Sequence, residues 1–231
     1  ALLPTLDIYL QNKEGNSYLI EAANAGDFVT IRYLIKRHLN MDHWLADEEL
    51  EDIDPPNKQG QRALHFAVDG DVAQTLYEAS HWNDYLINTA DNQGNSPIHL
   101  AAKFQRYHFL VWASQVYCGH YTRAFHDSIL PDWLNETLAS GLKEGVEFIR
   151  KYTPYWENDI YKSLLENPFN YKNRAGDTAL HIAVKSSSLA SAQAILSCQY
   201  TNLLSTNAQE QTPLHVAILH NDKEIFKLLL T

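Results

Sequence analysis

Five times along the chain, a polar run opened by Asn or Asp gives way to a short apolar stretch built around a small residue. The copies are Asn12–Ala23, Asn57–Val68, Asp91–Ala102, Asn173–Val184 and Asn207–Ile218. Gly15, Gly60, Gly94 and Gly176 sit in the polar part, where a residue without Cβ predicts a tight turn. Glu210 holds the fifth such position, and a distorted turn is expected there. Ser17, Ser96, Thr178 and Thr212 follow where a hydroxyl caps a helix, and Pro97 and Pro213 occupy a first turn that has no use for an N–H. Helices are therefore expected to start at these points. Ala22, Ala67, Ala101, Ala183 and Ala217 recur inside them, where a small side chain lets neighbouring helices approach closely.

Two regularities lie outside the repeated phrase. Seven positions before each Gly or its substitute stand Ile8, Ile53, Ile87, Phe169 and Leu203, apolar every time and expected to enter the core. Farther along, Ile31, Leu34 and Ile35, then Ile195 and Leu196, then Phe226, Leu229 and Leu230 mark an amphipathic second helix in three copies. The second and third copies are less regular there.

The phrase resembles the ankyrin repeat, whose signature runs DxxGxTPLHxAA. That resemblance implies an all-α ankyrin-repeat solenoid of helix-turn-helix units with short β-hairpin-like loops. It implies one domain over 1–231, with repeats at about 12–40, 57–86, 91–117, 173–203 and 207–231. It gives His65, His99, His181 and His215 a structural role, tying each turn to the next repeat. It also implies a scaffold or adaptor that binds another protein through turn tips and the concave helix face. Carried over position by position, the partner-binding side chains are Lys58, Gln59, Gln61, Asn92, Gln93, Asn95, Arg174 and Asp177 at the tips, with Lys103, Phe104 and Lys185 at the ends of first helices. Irregular arrays with large insertions are loosely similar to effectors that intracellular bacteria deliver into host cells, which would place the chain in host cytosol.

The glycine positions, with Glu210 as the fifth, stand 45, 34, 82 and 34 residues apart, against about 33 for a regular unit. Two insertions follow. The first, about 37–56, is an acidic loop with Asp42, Asp47, Glu48, Glu49, Glu51, Asp52, Asp54 and Trp44, either a contact for a basic partner or a solvated bridge. The second, about 118–171, carries Pro131 and the stripe Leu134, Leu138, Leu142, Val146 and Ile149. It reads as a helical insertion or a degenerate repeat. Its aromatic residues fill a core or, at Trp133 and Trp156, anchor a partner.

Charge narrows the partners. Eighteen basic against 28 acidic residues give −10, which repels nucleic acid and anionic membrane surfaces. No run of about 18 apolar residues is present to span a bilayer. Two distant cysteines, Cys118 and Cys198, form no disulfide framework and suit a cytoplasmic setting. No catalytic motif is found, so no enzymatic activity and no cofactor or metal are expected. Cys118, His120 and His126 fall short of a zinc set, and Cys118 with a histidine as base lacks an identifiable oxyanion or orienting partner. A monomer is expected. The missing initial Met and the apolar end at Leu228, Leu229 and Leu230 lead us to expect a fragment of a longer protein. The alternative function is therefore the recognition arm of an enzyme whose catalytic domain lies beyond Thr231.

Overall fold

The computed structural model describes residues 10–38, 54–79, 85–116, 167–198 and 201–230, which fall into two compact units, 1–112 and 113–231. Most of the acidic insertion and all of 117–166, with Trp44, Trp133, Trp156, Cys118, His120, His126 and the leucine stripe, lie outside the described residues. So do Ile8 and Ile53.

In the first unit the helices are α1 (Tyr18–Ala25), α2 (Phe28–His38), α3 (Ala63–Phe66), α4 (Gly70–Ala79), α5 (Tyr85–Asn88) and α6 (Pro97–Lys103), followed by residues 107–112 of α7 (107–116). The first helices of successive repeats pack in the row α1, α3, α6, and α2 packs on α4. Ala22, Ala67 and Ala101 are buried between them, as their small size predicts. Ile31, Leu34 and Ile35 bury the inner face of α2, each such side chain contributing roughly 1.5–3 kcal/mol. Trp112 of α7 meets Tyr77 of α4 edge-on at 5.7 Å and donates its indole N–H to Gln74 Oε1 at 2.7 Å.

In the second unit a 3₁₀ turn (Pro168–Asn170) precedes α8 (Ala179–Lys185), α9 (Leu189–Leu196), α10 (Pro213–Leu219) and α11 (Lys223–Leu228). α8 packs on α10 and α9 on α11. Val184, Val216, Ala217 and Ile225 form a buried cluster against which Leu189, Phe226 and Leu229 pack. The fold is that of an all-α ankyrin array, and among the described residues the only β feature is an isolated bridge between Gln11 and Ser17.

Several expectations are corrected. Ile87 and Phe169 enter the core, but Leu203 is 39% exposed, at the outer edge of the last described repeat. Leu230 is likewise 61% exposed, and Ile225 supplies the buried anchor of α11. Glu210 does not distort its turn: it adopts the left-handed φ of 58° that the glycines adopt at 74–84°. Its N–H bonds Asn207 O at 3.0 Å, as Gly176 bonds Asn173 O at 2.9 Å. Cys198 is buried and disulfide-bonded, not a reduced thiol.

Candidate protein-binding surface

Each of the five turns is built on one side-chain oxygen. Asn12, Asn57, Asn173 and Asn207 accept two backbone N–H bonds on Oδ1, from the residues two and four positions on, at 2.9–3.0 Å. Asp91 does the same at 2.8 Å. Burial works to raise the Asp91 pKa, but bonds from Asn95, Gln61 and Gln93 hold the carboxyl below its usual range. An Asx turn of this kind replaces peptide partners that the bend removes.

Turn then bonds to turn. Lys58 N–H donates to Glu14 O at 3.1 Å, Asn92 N–H to Gln59 O at 2.8 Å and Ala208 N–H to Ala175 O at 3.1 Å. This contact explains the glycines better than φ alone. A Cβ on Gly176 would stand 2.6 Å from Ala208 N, and one on Gly15 would stand 3.0 Å from Lys58 N. Among the described residues no later turn lies on Glu210, so a side chain fits there.

The histidines lock helix to turn. His65, His99, His181 and His215 each accept on Nδ1 from the backbone N–H of the helix-capping residue, at 3.1–3.2 Å. A backbone donor fixes the tautomer, leaving the proton on Nε2. In His181 that proton reaches Gln211 O of the next repeat at 2.8 Å. Burial lowers the His181 pKa, against the opposing effect of the Gln211 bond.

Ser17, Thr178 and Thr212 cap their helices as expected, accepting from the N–H three residues on. The second repeat has Arg62 at that position, and its cap comes from elsewhere. Asp54 Oδ1 accepts Ala63 N–H at 2.8 Å, and Arg62 Nη1 donates to Asp54 O at 2.6 Å. Asp54 is buried, so of the acidic insertion this residue neither bridges solvent nor faces a partner. Burial pushes its pKa up to about 6, against the Ala63 bond and the Arg62 charge.

The named tip residues divide into two groups. Lys58, Gln59, Asn92, Gln93, Arg174, Lys103 and Phe104 are exposed. Lys58 Nζ reaches Lys13 O, and Asn92 Nδ2 reaches Lys58 O at 3.0 Å, so these two brace neighbouring turns as well. Gln61 is half-buried and donates to Asp91 Oδ2 at 3.2 Å. Asn95 and Asp177 are corrected: both are 5% exposed. Asn95 is turned inward onto Asp91, and Asp177 takes Lys185 Nζ at 2.6 and 2.7 Å and Asn207 Nδ2 at 3.2 Å. They follow the turn where the chain bends inward to begin the helix, so their polar atoms are spent inside the fold. Lys185 is exposed along its stem but ion-paired at its tip.

Sequence reasoning missed a shortened link in the second repeat. The residues whose carbonyls begin the first and second helices are ten apart in four repeats: Ser17 and Asp27, Ser96 and Arg106, Thr178 and Ser188, Thr212 and Asp222. In the second repeat Arg62 and Asp69 are seven apart. What is lost is the left-handed turn that Gly26, Gln105, Ser187 and Asn221 make in the others. The signal was present in the spacing from cap to cap, which glycine-to-glycine distances conceal.

Among the described residues no helix is long and apolar enough to cross a membrane, and no cluster of three metal-ligating side chains is found. No curated protein matches the chain. A family model described as ankyrin repeats (3 copies) matches residues 155–231. Residues 10–116, outside that match, repeat the same Asx turn, turn-to-turn bond and histidine lock. Residues 155–231 therefore match ankyrin repeats, which generally mediate protein–protein interaction.

Proposed function

We propose that the chain is a protein-binding scaffold that acts through recognition, without turning over a substrate. One observation carries the reading: turns held by the same set of N–H···O bonds present unlike exposed side chains at equivalent positions. Lys58 and Gln59, Asn92 and Gln93, and Arg174 stand where the backbone is already fixed. Such groups lose little ordering entropy on association, so a few of them suffice for affinity and their chemistry sets specificity. The partner is another protein, held at the tips and along the first-helix side of each unit.

The test is affinity capture with quantitative mass spectrometry, comparing the chain with a Lys58→Glu, Gln93→Lys, Arg174→Glu variant of unchanged melting temperature. The expected result is a set of proteins retained by the first and lost by the second. Equal retention on both would overturn the assignment of the tips.

A further inference from the structure

The shortened link leaves an irregular edge in the first unit, and the side chains beside it are unlike those of the other repeats. α3 spans four residues, whereas α1, α6, α8 and α10 span seven or eight. Its C-terminal end lacks the left-handed closing turn, and Arg106 of the third repeat donates from Nη1 to His65 O at 2.8 Å, satisfying a carbonyl the helix cannot. On the same loop stands Phe104, 58% exposed, at a position held by Ala25, Ser186 and His220 in the regular repeats. Lys103 Nζ lies 5.6 Å and Arg106 Cζ 5.3 Å from its ring centroid. Phe28 and Tyr107, each the first residue of a second helix, are 44% and 41% exposed.

The charges on this edge are not balanced from within. Among the described residues the one ion pair is Lys185 with Asp177, in the other unit, so neither Lys103 nor Arg106 is matched to a carboxylate. The nearest acids by repeat position are engaged: Asp27 accepts from Thr30 N–H and Asp69 from Val72 N–H, capping α2 and α4. Asp71 lies in the first turn of α4, where the helix dipole favours a negative charge. An exposed phenyl ring flanked by two cations without a carboxylate partner is the local arrangement that anchors an acidic, partly apolar segment.

We propose that Phe104, Lys103 and Arg106, beside the missing turn of the second repeat, form a docking site for an acidic peptide segment that sets an apolar side chain next to a carboxylate. The apolar group packs on the Phe104 ring, and the carboxylate meets Lys103 and the Arg106 guanidinium. The proposal rests on the protein-binding reading above and names the partner chemistry at the first-helix end of that surface, where Lys103 and Phe104 stand.

The test is selection of a random dodecamer peptide library on the whole chain, followed by affinity measurement of the enriched peptides on three variants. Phe104→Ser installs the residue of the fourth repeat, Lys103→Glu reverses a charge, and Lys58→Glu alters a tip. Circular dichroism checks the fold, and should Phe104→Ser unfold the unit, Lys103→Glu alone decides. The expected result is peptides that pair Asp or Glu with a large apolar residue, weakened about tenfold or more by Phe104→Ser and by Lys103→Glu and unchanged by Lys58→Glu. Enriched peptides without acidic residues would overturn the site, as would affinities that survive both edge variants. Peptides lost only on Lys58→Glu would sink this edge and leave the tips as the binding surface. A library without binders counts against the edge, while the capture experiment judges the broader reading separately.

Discussion

The second and fourth repeats solve the same problem by different routes. In the fourth, every helix end is satisfied by its immediate neighbours: Thr178 caps the start of α8 and Ser187 turns left-handed to close its end. In the second, Asp54 caps α3 from nine residues upstream of Ala63, and Arg106 reaches back from the next repeat to the His65 carbonyl. Both keep the Asx turn and its glycine. Unpaired backbone groups must find partners in either case, but a local solution depends on one short phrase and a remote one on several parts of the chain.

The largest expected effect lies in the turn that both repeats share. Gly176→Ala forces a side chain into a left-handed conformation and against the Ala208 backbone at 2.6 Å, and should cost roughly 3 kcal/mol in urea unfolding. Gly60→Ala meets the movable Asn92 carboxamide first, at 2.7 Å, and should cost less. Equal losses would mean that the turn-to-turn approach contributes nothing beyond φ.

The remote cap carries a pH signature that the local one lacks. Asp54, with its pKa raised to about 6 in the folded state from 3.8, favours folding fully below about pH 4, and that contribution is lost as pH rises through 6. His65 opposes it. Burial lowers its pKa to about 4 from 6.5, so its contribution is complete above 6.5 and lost as pH falls toward 4. The two offset across that window. Asp54→Asn keeps an acceptor for Ala63 N–H and removes the proton, so stability of the variant should climb by roughly 2 kcal/mol from pH 4 to 7 while the parent stays nearly level. Parallel profiles would rule out Asp54 as the titrating group.

Smaller effects sharpen the contrast. Thr178→Ala should cost about 1 kcal/mol, whereas Arg62→Ser should gain less than that, because Asp54 already occupies the cap. Thermal melts of the two single variants decide it, and a full 1 kcal/mol gain from Arg62→Ser would show that the remote cap is weak. Glu210→Gly should stabilise by about 1 kcal/mol, since the turn already holds φ at 58° and glycine adopts it without the Cβ penalty. An unchanged or lower midpoint would mean that Glu210 makes a compensating contact.

What the sequence revealed, and what it hid, follows the same division. The turns, the caps at Ser17, Thr178 and Thr212, and the buried alanines were legible because each depends on residues within a few positions. Asp54 was not, since an acid in an acidic stretch looks like solvated surface until the fold supplies an N–H donor and removes the water. Asn95 and Asp177 looked like tips because they are polar and next to Gly94 and Gly176, yet the chain has already turned inward there. The cations around Phe104 depend on contacts across repeats, which spacing alone does not encode. Candidate residues Trp133 and Trp156 lie outside the described residues.

The turn-to-turn bond has a consequence for how such a chain can vary. Gly15 and Gly60 are 45 residues apart and Gly60 and Gly94 are 34 apart, yet the bonds that join their turns are 3.1 and 2.8 Å long. Register is set where turn meets turn, not by the length of chain between them. Connectors can therefore gain or lose residues while the stacking survives, because lengthening a loop adds closure entropy only logarithmically. New sequence can be grafted between the fixed points, and recognition can diversify in the connectors while the hydrogen-bonded spine stays constant.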